Sequence, residues 1–363
     1  MFECVGQALA ERGLKTRQFC DLKTPRGPGG GFERLAYRFI GKSDALNVMV
    51  NSGLELGGRI MPQAMLPVKA LDAIIDISGF AYSAQWGEYP MRALLDLIGR
   101  LESDVPVILL PQAFGPFKND DQRRLMIRIL ERATRVYVRD AQSWSYLAEI
   151  APELLERKAK LSGDFTALLK VTSSGVRNDR LAWVVPNYRM MDQTGEKAAY
   201  LDFLRMAIAE LGAAGWQASI LIHEQEVDMR VVEAIGLNTG TVRCVAAENA
   251  THAKQLIGQA GLVVGSRFHA LVSALSQGVP AVGVGWSHKY AELFADYESS
   301  ELLLHSVRDH RRLKEQLAAL ADRASHASIS TRLAVAGERA RSQSRAMWTD
   351  VTNTLKQRSA VSP

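Results

Sequence analysis

The stretch Leu262-Val263-Val264-Gly265-Ser266-Arg267-Phe268-His269-Ala270-Leu271 runs on through Gln277-Gly278-Val279-Pro280-Ala281-Val282-Gly283-Val284 to Ser287-His288-Lys289-Tyr290. It reads as a buried strand, a tight polar turn, a short helix stopped by Gly278, a second strand led in by Pro280, and another polar turn. Two successive strand ends then deliver Arg267, His269 and Lys289 to one rim. In open α/β sheets the rim at the carboxyl ends of the strands is where ligands bind. A helix starting near His269 also turns its unpaired N–H groups toward that space, which suits an anion.

Around this stretch, the 363-residue chain is long enough for two domains that each bury a core. Hydrophobic residues at 47% and charged residues at 23% are ordinary for a globular protein. The 44 basic and 39 acidic residues leave a net charge of +5, spread along the chain rather than gathered into a tract. That fits mild attraction to anionic substrates or membrane surfaces and gives no nucleic-acid footprint. Cys4, Cys20 and Cys244 have neither metal-ligand spacing nor the numbers for a disulfide framework, so the expected setting is cytoplasmic. The first residues lack the apolar core of a signal peptide, and no run of about 18 apolar residues occurs. Membrane contact is therefore expected to be peripheral at most, with the basic helix Arg123 to Arg135 as its candidate.

Taken in order, the chain opens with helical periodicity from Phe2 to Glu11, a stop at Gly13 and a short strand over Lys15 to Cys20. Pro25 to Gly31 reads as a flexible connection. From Ala73 the alternation is regular: a strand to Ile77, a helix from Met91 to Leu101, a strand Val107 to Leu110, a basic helix Asp121 to Ala133, and a strand Arg135 to Val138. Pro152 to Lys160 reads as a charged helix, and a polar linker is placed over Val171 to Arg180. The second half repeats the design, with strands at Leu181 to Val185, Gln217 to Ile222 and Val242 to Val245 ahead of the opening stretch. Ser330 to Leu355 reads as one long charged helix and Gln357 to Pro363 as a frayed tail. Strands alternating with helices imply mostly parallel sheets covered on both faces.

The ordered set Gln112-Ala113-Phe114-Gly115-Pro116-Phe117, Arg139-Asp140-Ala141-Gln142-Ser143, Gly163-Asp164, a strand ending in His223, Arg267-Phe268-His269, Gly278-Val279-Pro280 and Lys289 resembles the signature of the polysaccharide pyruvyl transferases. The resemblance covers most of residues 73–295 and implies two Rossmann-like doubly wound α/β domains facing across a cleft, as in the GT-B glycosyltransferases. The expected layout is an N-terminal domain over 1–172, a C-terminal domain with the Arg-x-His motif over 180–325, and a helix over 326–363 that braces the first domain. The family usually opens with a strand and a Gly/Asn-rich turn, and this sequence begins after them. Ser78-Gly79 stands where the family commonly has Gly-Gly.

The resemblance further implies transfer of the enolpyruvyl unit of phosphoenolpyruvate to two hydroxyls of a sugar, forming a cyclic ketal and releasing phosphate. Such a reaction needs cations for a phosphate and a carboxylate, an acid for the methylene carbon, and a base for the sugar hydroxyls. Arg267 is expected to grip donor phosphate or carboxylate, Lys289 the second anionic group, and His269 to act as general acid or to hydrogen-bond the leaving phosphate. His223 with Glu224 forms a candidate acid/base pair at another strand end. Arg139 either faces the cleft or pairs with Asp140 or Glu131. Gln112 and Gly115 are expected to shape the cleft, Ser78 to contact sugar hydroxyls or stabilise its turn, and Trp86 and Tyr188 to stack on a sugar or pack in the core. His252, His288, His305, His310 and His326 read as surface residues.

The expected partners are phosphoenolpyruvate and a sugar or lipid-linked oligosaccharide acceptor, with no nucleic acid and no metal or organic cofactor, and with room for a homo-oligomer. Two other readings stand beside this one. A glycosyltransferase of the same architecture would use a nucleotide sugar, with Glu292 on the ribose. A binding or scaffold protein would keep the fold without catalysis.

Overall fold

The computed structural model describes residues 1–14, 16–20, 35–38, 46–51, 65–66, 71–101, 104–171, 177–192, 195–236 and 242–359. The Pro25–Gly31 connection lies outside them, as does half of the expected linker, residues 172–176, while the linker's last three residues, Asn178, Asp179 and Arg180, are the start of a strand. The chain divides into two compact units, Met1–Phe165 with Gln343–Pro363, and Thr166–Ser342.

The first unit carries the strands β1 Thr16–Cys20, β2 Leu35–Arg38, β3 Leu46–Asn51, β4 Met65–Leu66, β5 Ala73–Asp76, β6 Val107–Gln112, β7 Arg135–Val138 and β8 Ala159–Leu161. Its helices are α1 Phe2–Ala10, α2 Tyr89–Ile98, α3 Asp120–Arg132, α4 Ala141–Ala148 and α5 Pro152–Lys158. The sheet order is β4-β2-β1-β3-β5-β6-β7-β8. From β1 to β8 neighbours run parallel, whereas β2 is antiparallel to both β1 and β4. The central strands β5 and β6 are buried along their whole length, as both faces of a covered parallel sheet require.

Three strands here, β2, β3 and β4, have no counterpart in the sequence reading; β3 extends the parallel part of the sheet, and the antiparallel edge that β2 and β4 build departs from a purely doubly wound sheet. β8 is a further difference: Lys158 ends α5, and Ala159–Leu161 pairs with β7 instead of extending the helix.

The second unit has strands β9 Asn178–Val185, β10 Gln217–Ile222, β11 Arg243–Ala246, β12 Ala260–Gly265, β13 Ala281–Val284 and β14 Leu303–Leu304. Its helices are α6 Arg189–Asp192, α7 Lys197–Ala213, α8 Gln225–Ile235, α9 Ala250–Gly258, α10 Phe268–Leu275, α11 His288–Asp296 and α12 His310–Ala321, with α13 Arg323–Ser359 closing the chain. All its strands are parallel, in the order β11-β10-β9-β12-β13-β14. Numbered within the unit this is 3-2-1-4-5-6, the dinucleotide-domain order.

Local chemistry sets the helix starts. Asn119, Asp140 and Asn249 each accept a hydrogen bond from a main-chain N–H in the first turn of α3, α4 and α9. The boundary after Phe165 also has a physical cause: the buried Lys254 of α9 donates to the carbonyls of Thr166 and Ala167, at 2.9 and 3.0 Å. α13 is one continuous helix that changes allegiance along its length. Leu333 and Ala336 join the core of the second unit, while Trp348 lies edge-on to Phe165 in the first. The division falls between Ser342 and Gln343, not at the helix start, and Gln357 to Ser359, read as frayed, are helical.

Candidate functional site

In the second unit the chain lays β10 and β11 on one side of β9 and β12 to β14 on the other, so β9 and β12 flank the topological switch point. Gly265 ends β12 against β9: a Cβ there would lie 2.6 Å from the carbonyl oxygen of Val185, so only glycine lets these backbones approach so closely. Beyond the strand ends, Asn187 donates from Nδ2 to the carbonyl of Ser266 at 3.0 Å, and the Tyr290 hydroxyl donates to the same oxygen at 2.9 Å. The main-chain N–H of Asn187 donates to the Tyr200 hydroxyl at 2.8 Å, which lies 2.7 Å from Ser266 Oγ. Burial keeps the Tyr200 phenol protonated. This buried mesh fixes the turn from which Arg267 projects.

Arg267 precedes α10 and points its guanidinium across the strand ends. Its Nη1 donates to Glu224 Oε2 at 2.9 Å and its Nη2 to Asp228 Oδ1. Asp228 is fully buried on α8. It also accepts the main-chain N–H of Tyr188 at 3.1 Å and of Glu224 at 3.0 Å. One carboxylate thereby ties together the ends of β9, β10 and β12. Burial pushes the Asp228 carboxyl up, and the Arg267 charge pulls it back.

His223, directly after β10, has its pKa pushed down to about 3, first by burial and then by the charges of Arg267 and His269. Near neutral pH it is therefore an uncharged imidazole, whose ring can hydrogen-bond a hydroxyl. His269 sits in the first turn of α10, with its ring edge-on to Phe268 at 5.6 Å between centroids. Lys289, in the first turn of α11, holds its ammonium 5.0 Å from the ring centre of Phe268 and 5.5 Å from those of Trp286 and Tyr290. This rim therefore gathers a guanidinium, an ammonium and two imidazoles at the ends of β10, β12 and β13, a set suited to binding an anion and moving protons beside it.

The first unit has its own polar rim, at the ends of β5, β6 and β7. The fully buried Asp76 accepts from the Ser78 N–H at 3.1 Å, from Gln112 Nε2 at 3.0 Å and from the Tyr82 hydroxyl at 2.7 Å. Burial raises its carboxyl pKa against these donors. Gly115 adopts φ +66°, and a Cβ there would lie 2.8 Å from Tyr146. The N–H of Gly115 donates to the Tyr82 carbonyl at 2.9 Å. Arg139 is buried, 3.6 Å from Asp164 and 4.0 Å from Asp140.

The model of the family described as polysaccharide pyruvyl transferase matches residues 10–288. The chain belongs to this family. No curated protein sequence matches it. Among solved structures, S. aureus MnaA with UDP aligns at a TM-score of 0.55 and 9% identity, covering 82% of this chain and 87% of that one. A UDP-N-acetylglucosamine 2-epimerase from Listeria monocytogenes aligns at 0.51 and 14% identity, covering 82% and 86%. At these identities the likeness is one of fold, the GT-B-like pair of α/β units expected from the sequence. A structure of accessory secretory proteins 1, 2 and 3 from Streptococcus pneumoniae aligns at 0.48 and 15% identity; 81% of this chain matches, spanning about half, 55%, of the chain it matches.

Within this member of the pyruvyl transferase family, Arg267, His269, Lys289, His223 and Glu224 all lie at the strand ends of the second unit. Ser78, Gln112, Gly115 and Arg139 lie at those of the first. Gln112 and Arg139 are buried and held by carboxylates, Arg139 by Asp164 as well as the expected Asp140. Trp86 is 37% exposed, and Tyr188 packs on the core of the second unit with Arg230 over its ring. Glu292 lies on α11. His326 departs from the surface reading, since its Nε2 is 2.7 Å from the Gly261 carbonyl and its ring lies against Trp216. Asp228, Asn187, Tyr200 and the Asp76–Tyr82 pair escaped the sequence reading. For Asp228 a signal existed: it follows Glu224 by four residues, one turn along the same helix face. Among the described residues, no group of three or more His, Cys, Asp or Glu is placed to hold a metal ion. No described helix is long and apolar enough to cross a membrane.

Proposed function

We propose that this chain transfers the enolpyruvyl unit of phosphoenolpyruvate to a sugar of an exopolysaccharide or cell-surface glycan precursor, closing a pyruvate ketal. The observation that carries this reading is the convergence of Arg267, His269, Lys289 and an uncharged His223 at the carboxyl ends of β10, β12 and β13 of one sheet, in a chain of the pyruvyl transferase family.

In this reading Arg267 and Lys289 hold the donor's phosphate and carboxylate. His269 protonates the methylene carbon or hydrogen-bonds the departing phosphate, and His223 takes a proton from a sugar hydroxyl. One sugar oxygen bonds to the central carbon as the methylene becomes a methyl group; the second displaces phosphate. Of the two hydroxyl protons, one ends on the methyl carbon and the other leaves with the phosphate. On the first unit, Ser78 serves the acceptor's hydroxyls, while Gln112, Gly115 and the ion-paired Arg139 shape the turns around it. The reaction uses no metal or organic cofactor and takes place in the cytoplasm, on a free or lipid-linked acceptor.

The test is phosphate release from phosphoenolpyruvate over a panel of sugar and lipid-linked sugar acceptors, with His269→Ala and Arg267→Ala alongside. Release that requires an acceptor and collapses in both variants is the expected result. Turnover of nucleotide sugars instead would replace this reading with a glycosyltransferase, and no turnover of either would favour a non-catalytic binding protein.

A further inference from the structure

Arg267 is held by two carboxylates of opposite character. Asp228 is 0% exposed at its side chain and uses its oxygens on two main-chain N–H groups besides the guanidinium. Glu224 is 57% exposed at its side chain and touches Arg267 through one oxygen at 2.9 Å. Removing Asp228 from its partner would strand a buried charge, which proteins tolerate poorly. Glu224 can swing into water at little cost, because exposed ion pairs are weak. An arginine fork offers paired N–H groups to whichever planar or tetrahedral anion reaches it. Arg267 Nε has no hydrogen-bond partner among the described residues.

We infer that the two carboxylates divide the work: Asp228 is a permanent positioning residue that aims the Arg267 fork, and Glu224 is a stand-in anion that a ligand's phosphate or carboxylate displaces from Nη1. The inference rests on the reading of Arg267 as the donor's anion ligand and adds to it an internal competitor. Glu224 is fixed at the start of α8 by Asp228 itself, through its own N–H. The same buried carboxylate thus sets both the arginine and its competitor. With no anion bound, Glu224 occupies Nη1 of the fork that Asp228 aims, and the cost is a weaker grip on the first anion to arrive.

The experiment is calorimetric titration of the full chain with phosphoenolpyruvate and, separately, with inorganic phosphate. It compares wild type, Glu224→Gln, Asp228→Asn and the double variant, with thermal melting of each. Glu224→Gln is expected to melt as wild type and bind both anions about threefold more tightly, the size of an exposed ion pair's contribution. Asp228→Asn is expected to weaken both by roughly tenfold or more. In that background Glu224→Gln should no longer tighten binding, a non-additivity that a merely structural Asp228 would not produce. Unchanged or weaker binding by Glu224→Gln overturns the inference, as does wild-type affinity in a folded Asp228→Asn. If Asp228→Asn fails to fold, the Glu224→Gln titration decides alone. Tighter phosphate binding by Glu224→Gln in a chain that neither binds nor turns over phosphoenolpyruvate upholds the competitor and overturns the pyruvyl transfer reading.

Discussion

Asn187 and Ser266 join the two strands that flank the switch point: the side-chain amide of Asn187 donates to the Ser266 carbonyl at 3.0 Å, with both residues buried. Asn187→Ala removes one of the two side-chain donors to that oxygen. It should cost about 1–3 kcal/mol in urea unfolding, and Asn187→Asp more, because a carboxylate would face a carbonyl in a dry site. Unchanged stability in both would mean that the turn carrying Arg267 is held by other contacts.

The two close-approach glycines make a second prediction. At Gly265 a Cβ meets the backbone of Val185, and at Gly115 it meets Tyr146 from a left-handed φ. Gly265→Ala and Gly115→Ala should each lower stability by roughly 1–3 kcal/mol, from overpacking at the first and from overpacking plus backbone strain at the second. Thermal melting of the purified variants reads this directly.

A third concerns acid. His223 titrates near 6.5 when unfolded but only at about 3 when folded. Above pH 6.5 neither state holds the proton and His223 costs nothing. Below it the unfolded chain takes up a proton that the folded one refuses, so stability falls as pH drops from 6.5 toward 3. Asp76 and Asp228, with raised values, act in the opposite sense. They are common to wild type and His223→Gln, so the difference between the two isolates the histidine. That difference should grow by up to about 1.4 kcal/mol per pH unit below 6.5. Parallel stability curves for the two proteins over pH 7.5 to 4.5 would contradict it.

The last prediction tests the end of α13. Trp348 is fully buried and lies edge-on to Phe165, with ring centroids 6.0 Å apart. Trp348→Ala should cost about 3–5 kcal/mol. The first new proteolytic cuts should appear in the first unit, not in residues 177–342.

The sequence was most legible where chemistry punctuates it. The run Leu262 to Gly265 is apolar and short, Ser266 and Arg267 break it, and the next strand follows Pro280, so strand, turn and helix were each signalled by a different residue type. In residues 35–66 the six-residue β3 was signalled by the turn sequence Asn51-Ser52-Gly53 at its end and was overlooked, whereas β2 and β4 are four and two residues long, too short for a period to emerge. β8 was hidden for the same reason, three residues behind a charged helix. The site divided along similar lines. Arg267, His269, Lys289 and His223 stand at strand ends, which a local reading can find. Asp228 stands inside a helix, and its partners Tyr188 and Arg267 lie 40 and 39 residues away. Only the folded sheet brings these three together.

The continuous helix α13 bears on how the protein is made. Its final turns supply Trp348, Val351 and Leu355 to the buried interior of the unit that holds Met1–Phe165. During translation the bulk of that unit is spelled out first, yet its interior lacks these side chains until the whole second unit and the end of α13 have been read. The second unit, contiguous from Thr166 to Ser342, has all its residues before then. On the ribosome the second unit can therefore complete its core before the first, whose interior closes only when the end of α13 arrives.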